Sequence, residues 1–217
     1  RLVPFWQLYL YCVKVKGNDD FYKDLYESVR MTPNPVTAGK CQLEFVKKAC
    51  AAAKMDLTPF FEKFGFLKPF RQEVNDYGKR VFEVTAEDIE QTRKEIKAKK
   101  YPKLQLPFWY ITDNTVDLFK SPQPVKTGTA ICKGNTFTMK DWKGVAAYEV
   151  YQKGKLVFVA PLQQFTVEGV IVDEKTKVYA IAADGKKTEV DFQWTEDLEQ
   201  QRKMKERVSK YGNMYNR

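Results

Sequence analysis

The hydrophobic periodicity of this chain changes near its middle, and that change limits the folds open to it. Up to about residue 104 apolar side chains recur at helical intervals; beyond it, short alternating runs sit between turn residues. A run of helices followed by a run of strands predicts an α+β protein rather than an alternating parallel sheet. We expect an N-terminal helical subdomain over 1–104 and an antiparallel β-sandwich-like domain over 105–194. A charged C-terminal helix or tail should follow over 195–217.

The helical half has readable boundaries. Pro4 fits the first turn of a helix through Leu8, Leu10 and Val13, where a missing N–H costs nothing. That segment is apolar almost all round, which predicts burial in a larger body. Gly17-Asn18 ends it, and a carboxylate of Asp19 or Asp20 is expected to cap the next helix, reaching Val29. A third helix over about 38–54 should carry Cys41, Phe45, Ala49 and Ala53 on one stripe, with Glu44 supporting Lys48. Thr58-Pro59 opens a short helix that Gly65 can end. Thr85-Ala86-Glu87-Asp88 opens a surface helix with Glu90–Lys94 and Glu95–Lys99 pairs, and only Ile89 and Ile96 give it an apolar face.

In the second half, strands are predicted at 127–132, 136–139, 146–151, 155–160, 165–167, 178–182 and 187–194. Gly134-Asn135, Lys153-Gly154 and Asp184-Gly185 supply turns that need positive φ. The last run alternates polar with apolar through Trp194, so that ring should be buried.

Composition excludes several chemistries. The chain has no histidine, so a Ser-His-Asp triad, a Cys-His pair and a histidine zinc site cannot be built from it. Neither a Walker loop nor a G-x-G-x-x-G is present. The acid pairs Asp19/Asp20, Glu87/Asp88 and Glu196/Asp197 sit at expected helix starts, where acids oppose the dipole. Lysine and arginine total 37 against 28 acids, a net charge of +9, yet the two signs interleave. Even the basic run at 97–103 reads as a helix end, and no nucleic-acid partner is expected. The four cysteines (Cys12, Cys41, Cys50, Cys132) lack metal-site spacing and read as buried thiols, with a disulfide to Cys12 or Cys132 left open. No run is long and apolar enough to span a bilayer. An opening without methionine or leader suggests an excised piece of a longer protein.

Exposed aromatic faces can stack on sugar rings. Trp142, between Asp141 and Lys143 and before Gly144, reads as a loop residue and is the candidate glycan contact. Trp109, after Pro107-Phe108, is expected to plug the junction between the two halves.

The opening Arg1-Leu2-Val3-Pro4-Phe5-Trp6-Gln7-Leu8-Tyr9-Leu10-Tyr11, followed by Asp20-Phe21-Tyr22-Lys23-Asp24-Leu25-Tyr26-Glu27 and Val29-Arg30, resembles the enhancin-like zinc metallopeptidase family. Phe60-Phe61-Glu62-Lys63-Phe64-Gly65-Phe66-Leu67 is similar to its next helical landmark. Ala147-Tyr148-Glu149-Val150-Tyr151, Leu156-Val157-Phe158-Val159 and the stretch 178–185 resemble the β region of bacterial members.

The resemblance implies a parent zinc peptidase, secreted or at a bacterial cell surface, acting on glycoproteins such as mucins. In that family an H-E-x-x-H helix and a downstream glutamate hold the zinc, upstream of the segment seen here. No catalytic or metal residue carries over, and no cofactor is expected in this chain. The implied partner is the upstream catalytic half of the same protein, with mucin glycans a second possibility. Trp6 and Gln7 would belong to a helix that buttresses the catalytic cleft. A glycan- or protein-binding module of a surface protein is the alternative reading.

Overall fold

The computed structural model describes residues 2–33, 37, 39–75 and 78–195, so beyond Thr195 the expected C-terminal helix lies outside the described residues. Helices precede sheets along the chain, an α+β arrangement. Two compact units emerge, Arg1–Val116 and Asp117–Arg217.

In the first unit, α1 (Val3–Leu8) starts with proline in its first turn and runs directly into a π-helical segment, Tyr9–Val15. The wider turn is visible where Lys16 N–H reaches back five residues to the Tyr11 carbonyl at 2.9 Å. Gly17, at φ +69°, then turns the chain out of the helix. The α2 helix (Phe21–Met31) begins at Asp20, but no side chain caps it. The Asp20 carboxylate instead meets Lys23 at 3.5 Å, because Asp20 itself has helical backbone angles rather than the extended ones a capping carboxylate needs.

The α3 helix (Lys40–Ala53) buries Leu43, Val46 and Cys50. This stripe lies one step round from the expected one, so Phe45 and Ala49 stay inside its edge while Cys41 is exposed. Lys47, rather than Lys48, meets Glu44 at 2.5 Å and also Glu95 at 2.7 Å. Those hydrogen bonds hold its ammonium charged against the opposing effect of burial.

The short α4 (Thr58–Lys63) buries Phe60 and Phe61 completely. Sequence periodicity gave no sign of the hairpin that follows, β1 (Phe70–Asn75) paired antiparallel with β2 (Lys79–Val84). Gly39 lies against this ribbon so closely that a Cβ there would stand 2.1 Å from the Glu83 carbonyl oxygen. The α5 helix (Ala86–Ala98) carries a full capping box, with Asp88 N–H donating to Thr85 Oγ1 at 3.2 Å and Thr85 N–H to the Asp88 carboxylate at 3.3 Å. Its apolar face is Ile89 and Ile96, both buried as expected. Its charges pair differently: Glu90 with Arg93 at 2.5 Å, and Glu95 with Lys47.

A short helix, α6 (Val116–Lys120), leads into the second unit. One sheet holds β3 (Thr129–Lys133), β4 (Thr136–Lys140), β7 (Gln164–Thr166) and β10 (Gln193–Thr195), in the order β10-β3-β4-β7. The other holds β5 (Ala147–Gln152), β6 (Lys155–Ala160), β8 (Thr176–Ile181) and β9 (Lys187–Val190), in the order β6-β5-β8-β9. All pairings are antiparallel except β10 with β3, which is parallel. One hydrophobic cluster takes Cys132 and Phe137 from the first sheet and Tyr148, Val150, Val178 and Val190 from the second. Alternation along each strand explains the choice: Tyr148 and Val150 point into the cluster, while Glu149 lies on the opposite face.

Candidate functional site

Trp6 and Gln7 adjoin in sequence but have different environments. Trp6 is 49 % exposed, with its indole N–H donating to Asp113 Oδ2 at 2.9 Å. Its ring stacks on Tyr9 at 5.0 Å and begins a row of aromatics, Tyr9 to Tyr22 at 6.5 Å and Tyr22 to Tyr26 at 5.5 Å. Gln7 is buried, and its side-chain amide donates to two carbonyls, of Trp109 at 2.7 Å and Ile111 at 3.3 Å. Two consecutive helix residues therefore hold the segment 109–113, one from within and one at the surface.

Beneath them the packing is aromatic. Tyr11 lies flat on Phe108 with centroids 4.0 Å apart, and Phe108 stacks on Phe60 at 4.4 Å. Burial, with a smaller contribution from Cys12, pushes the Tyr11 phenol up to about 12. Burial likewise raises Cys12 to about 12, with Cys50 adding to the shift. These groups are neutral at physiological pH and behave as packing. Trp109 occupies a single 3-10 turn (Phe108–Tyr110) within the first unit, where Lys63 Nζ stands 5.8 Å from its ring. Asp113, Trp109 O and Ile111 O as partners of the opening helix had no local signature, since more than a hundred residues separate each pair.

The two tryptophans of the second unit exchange their expected environments. Trp142 is 4 % exposed and belongs to the shared core, edge-on to Tyr148 at 6.3 Å, with its indole N–H on the Thr129 carbonyl at 3.1 Å. It presents no open ring face for a sugar. Trp194 is 42 % exposed. The physical reason is that the expected strand at 187–194 is broken: β9 ends at Val190, and β10 begins at Gln193 in the other sheet. The alternation that would bury Trp194 does not survive the switch.

For zinc, the donor set does not fit. The chain has no histidine, and the described residues contain no group of three or more Cys, Asp or Glu side chains placed to hold a metal ion. Cys12, Cys50 and Cys132 are buried, with thiols raised chiefly by desolvation to about 12. No helix among the described residues is long and apolar enough to cross a membrane.

The fold is similar to part of several solved metallopeptidases. A metallopeptidase from Bacteroides thetaiotaomicron matches with a TM-score of 0.65 and 27 % identity, covering 86 % of this chain and 36 % of that one. A metallopeptidase in complex with Tn antigen matches with a TM-score of 0.63 and 27 % identity, covering 86 % and 39 %. The M60 catalytic domain of Clostridium perfringens ZmpC, in complex with the sialyl T antigen, shares the fold at a TM-score of 0.52 and 20 % identity, covering 88 % and 35 %. Residues 1–65 match the family described as peptidase M60, enhancin and enhancin-like. The matched stretch contains the opening residues that carry the enhancin-like resemblance. The chain spans well under half the length of the solved structures it resembles. No curated protein sequence matches it significantly.

Proposed function

We propose that this chain is the non-catalytic C-terminal portion of a secreted bacterial zinc metallopeptidase that acts on glycoproteins such as mucins. In this reading the zinc and its ligands belong to the upstream half of the same protein. The helical unit supports the catalytic cleft through Trp6 and Gln7, and the β-sandwich-like unit is an accessory domain.

The observation that carries the reading is the double tether of α1 to segment 109–113, which fixes the family-matched helix within its unit. Exposed apolar side chains in and around the first two helices, Leu2, Val3, Tyr26 and Met31, suit a surface that a further part of the same protein covers. Two of the solved relatives are described as complexes with Tn antigen and sialyl T antigen, which favours an O-glycosylated substrate.

The test compares the 217-residue chain alone with a polypeptide that joins it to an upstream H-E-x-x-H segment of the same gene. Chelator-sensitive mucin cleavage is expected only from the joined protein. Robust chelator-sensitive cleavage by the chain alone would overturn the proposal, as would an upstream sequence without a zinc motif.

A further inference from the structure

Two clefts open on the β6-β5-β8-β9 sheet, and both include Lys177 in their walls. The first, ≈ 550 Å³, is lined by Tyr151, Lys175, Lys177, Tyr179 and Lys187. The second, ≈ 450 Å³, is lined by Glu174, Lys177, Glu189, Asp191 and Trp194. Val178 and Val190 of the same strands point into the shared core, so Lys177, Tyr179 and Glu189 lie on the opposite face. Register places Tyr151 beside Lys177 and Tyr179 beside Glu189.

The strip is internally braced. Glu149, only 3 % exposed, accepts from Lys187 Nζ at 2.5 Å and from the Tyr151 hydroxyl at 2.8 Å. Lys187 Nζ lies 5.1 Å from the Tyr151 ring centroid and 6.0 Å from that of Tyr179. Lys177 and Glu189 pair at 3.0 Å where the clefts meet. Trp194 stands edge-on to Phe192 at 5.2 Å, which orients the ring while leaving much of it open.

Half-open aromatic rings interleaved with fixed ammonium donors and carboxylate acceptors suit a ligand with apolar C–H faces and many hydroxyls. Glu174, Glu189 and Asp191 would repel a phosphate backbone. We infer that this strip binds an oligosaccharide, with Trp194 stacking on one ring and the cleft walled by Lys175, Lys177 and Lys187 receiving an acidic sugar. The inference rests on the β unit alone and stands or falls separately from the peptidase reading.

The experiment is calorimetric titration of the 217-residue chain with a neutral galactose-containing disaccharide and with its sialylated form. Both should bind with Kd on the order of 0.1–1 mM, the sialylated form more tightly. Trp194→Ala should weaken both about tenfold or more, Trp194→Phe should stay within about threefold, and Lys175→Ala should weaken only the sialylated sugar. Circular dichroism confirms that each variant is folded; if Trp194→Ala is not, Lys177→Ala takes its place and should weaken both sugars. Absence of binding at about 10 mM sugar would overturn the inference. So would affinity unchanged in every folded variant of the strip.

Discussion

The side-chain amide of Gln7 donates to the main-chain carbonyl of Trp109 at 2.7 Å, across 102 positions of sequence. With its second bond to Ile111, this fixes both amide hydrogens of a buried side chain. Gln7→Leu retains the volume but leaves two carbonyls without this donor. We expect a loss of about 1–3 kcal/mol in urea unfolding, while Trp6→Ala, losing an exposed bond, costs less.

Trp142 and Trp194 should separate cleanly in stability. Trp142→Ala removes a core indole and should cost about 3–5 kcal/mol, whereas Trp194→Ala should cost about 1 kcal/mol or less. Thermal melts of the two variants check the order. Equal destabilisation would contradict the assignment of core and surface.

Thiol labelling gives another test. Cys12, Cys50 and Cys132 are buried, with pKa pushed up to about 12 by desolvation, while Cys41 is exposed. Because the thiolate is the reactive form, a disulfide reagent at about pH 8 should modify one thiol quickly in the native protein. All four should react in denaturant.

The start of α5 predicts an acid limb. Lys40, at 2.8 Å, and the Thr85 N–H hold the Asp88 carboxyl below its usual value. Lys47 and Gln91 do the same for Glu95. Since the folded values are depressed, their contribution is present above the unfolded carboxylate pKa of about 4 and is lost as pH falls through the folded values. The melting temperature should therefore decline below about pH 4, and Asp88→Asn should flatten part of that decline.

Local chemistry made much of this fold legible. Pro4, Gly17 and the Thr85–Asp88 box mark helix ends because each acts on its own backbone, and the glycine turns separate strands close to their observed limits. The hairpin Phe70–Asn75 with Lys79–Val84 escaped because its ribbon is largely exposed and lacks a sustained apolar alternation. The exchanged roles of Trp142 and Trp194 had a different cause. A ring's environment depends on which sheet its strand joins, and three residues of β10 carry no record of that choice. The resemblance of the opening helix indicated where to look for a supporting site, but its tethers to 109–113 are set by tertiary structure.

The parallel pairing of Trp194 with Cys132 has a temporal consequence. Adjacent hairpins such as β3–β4 can zip as soon as both strands leave the ribosome. The outer edge of β3 has to wait some sixty residues more for β10, as the Thr195 hydroxyl bond to the Cys132 carbonyl across 63 positions records. Closing so long a loop is entropically slow. The β unit thus remains unfinished through most of its own synthesis, with one strand edge open to a chaperone or to a mistaken partner.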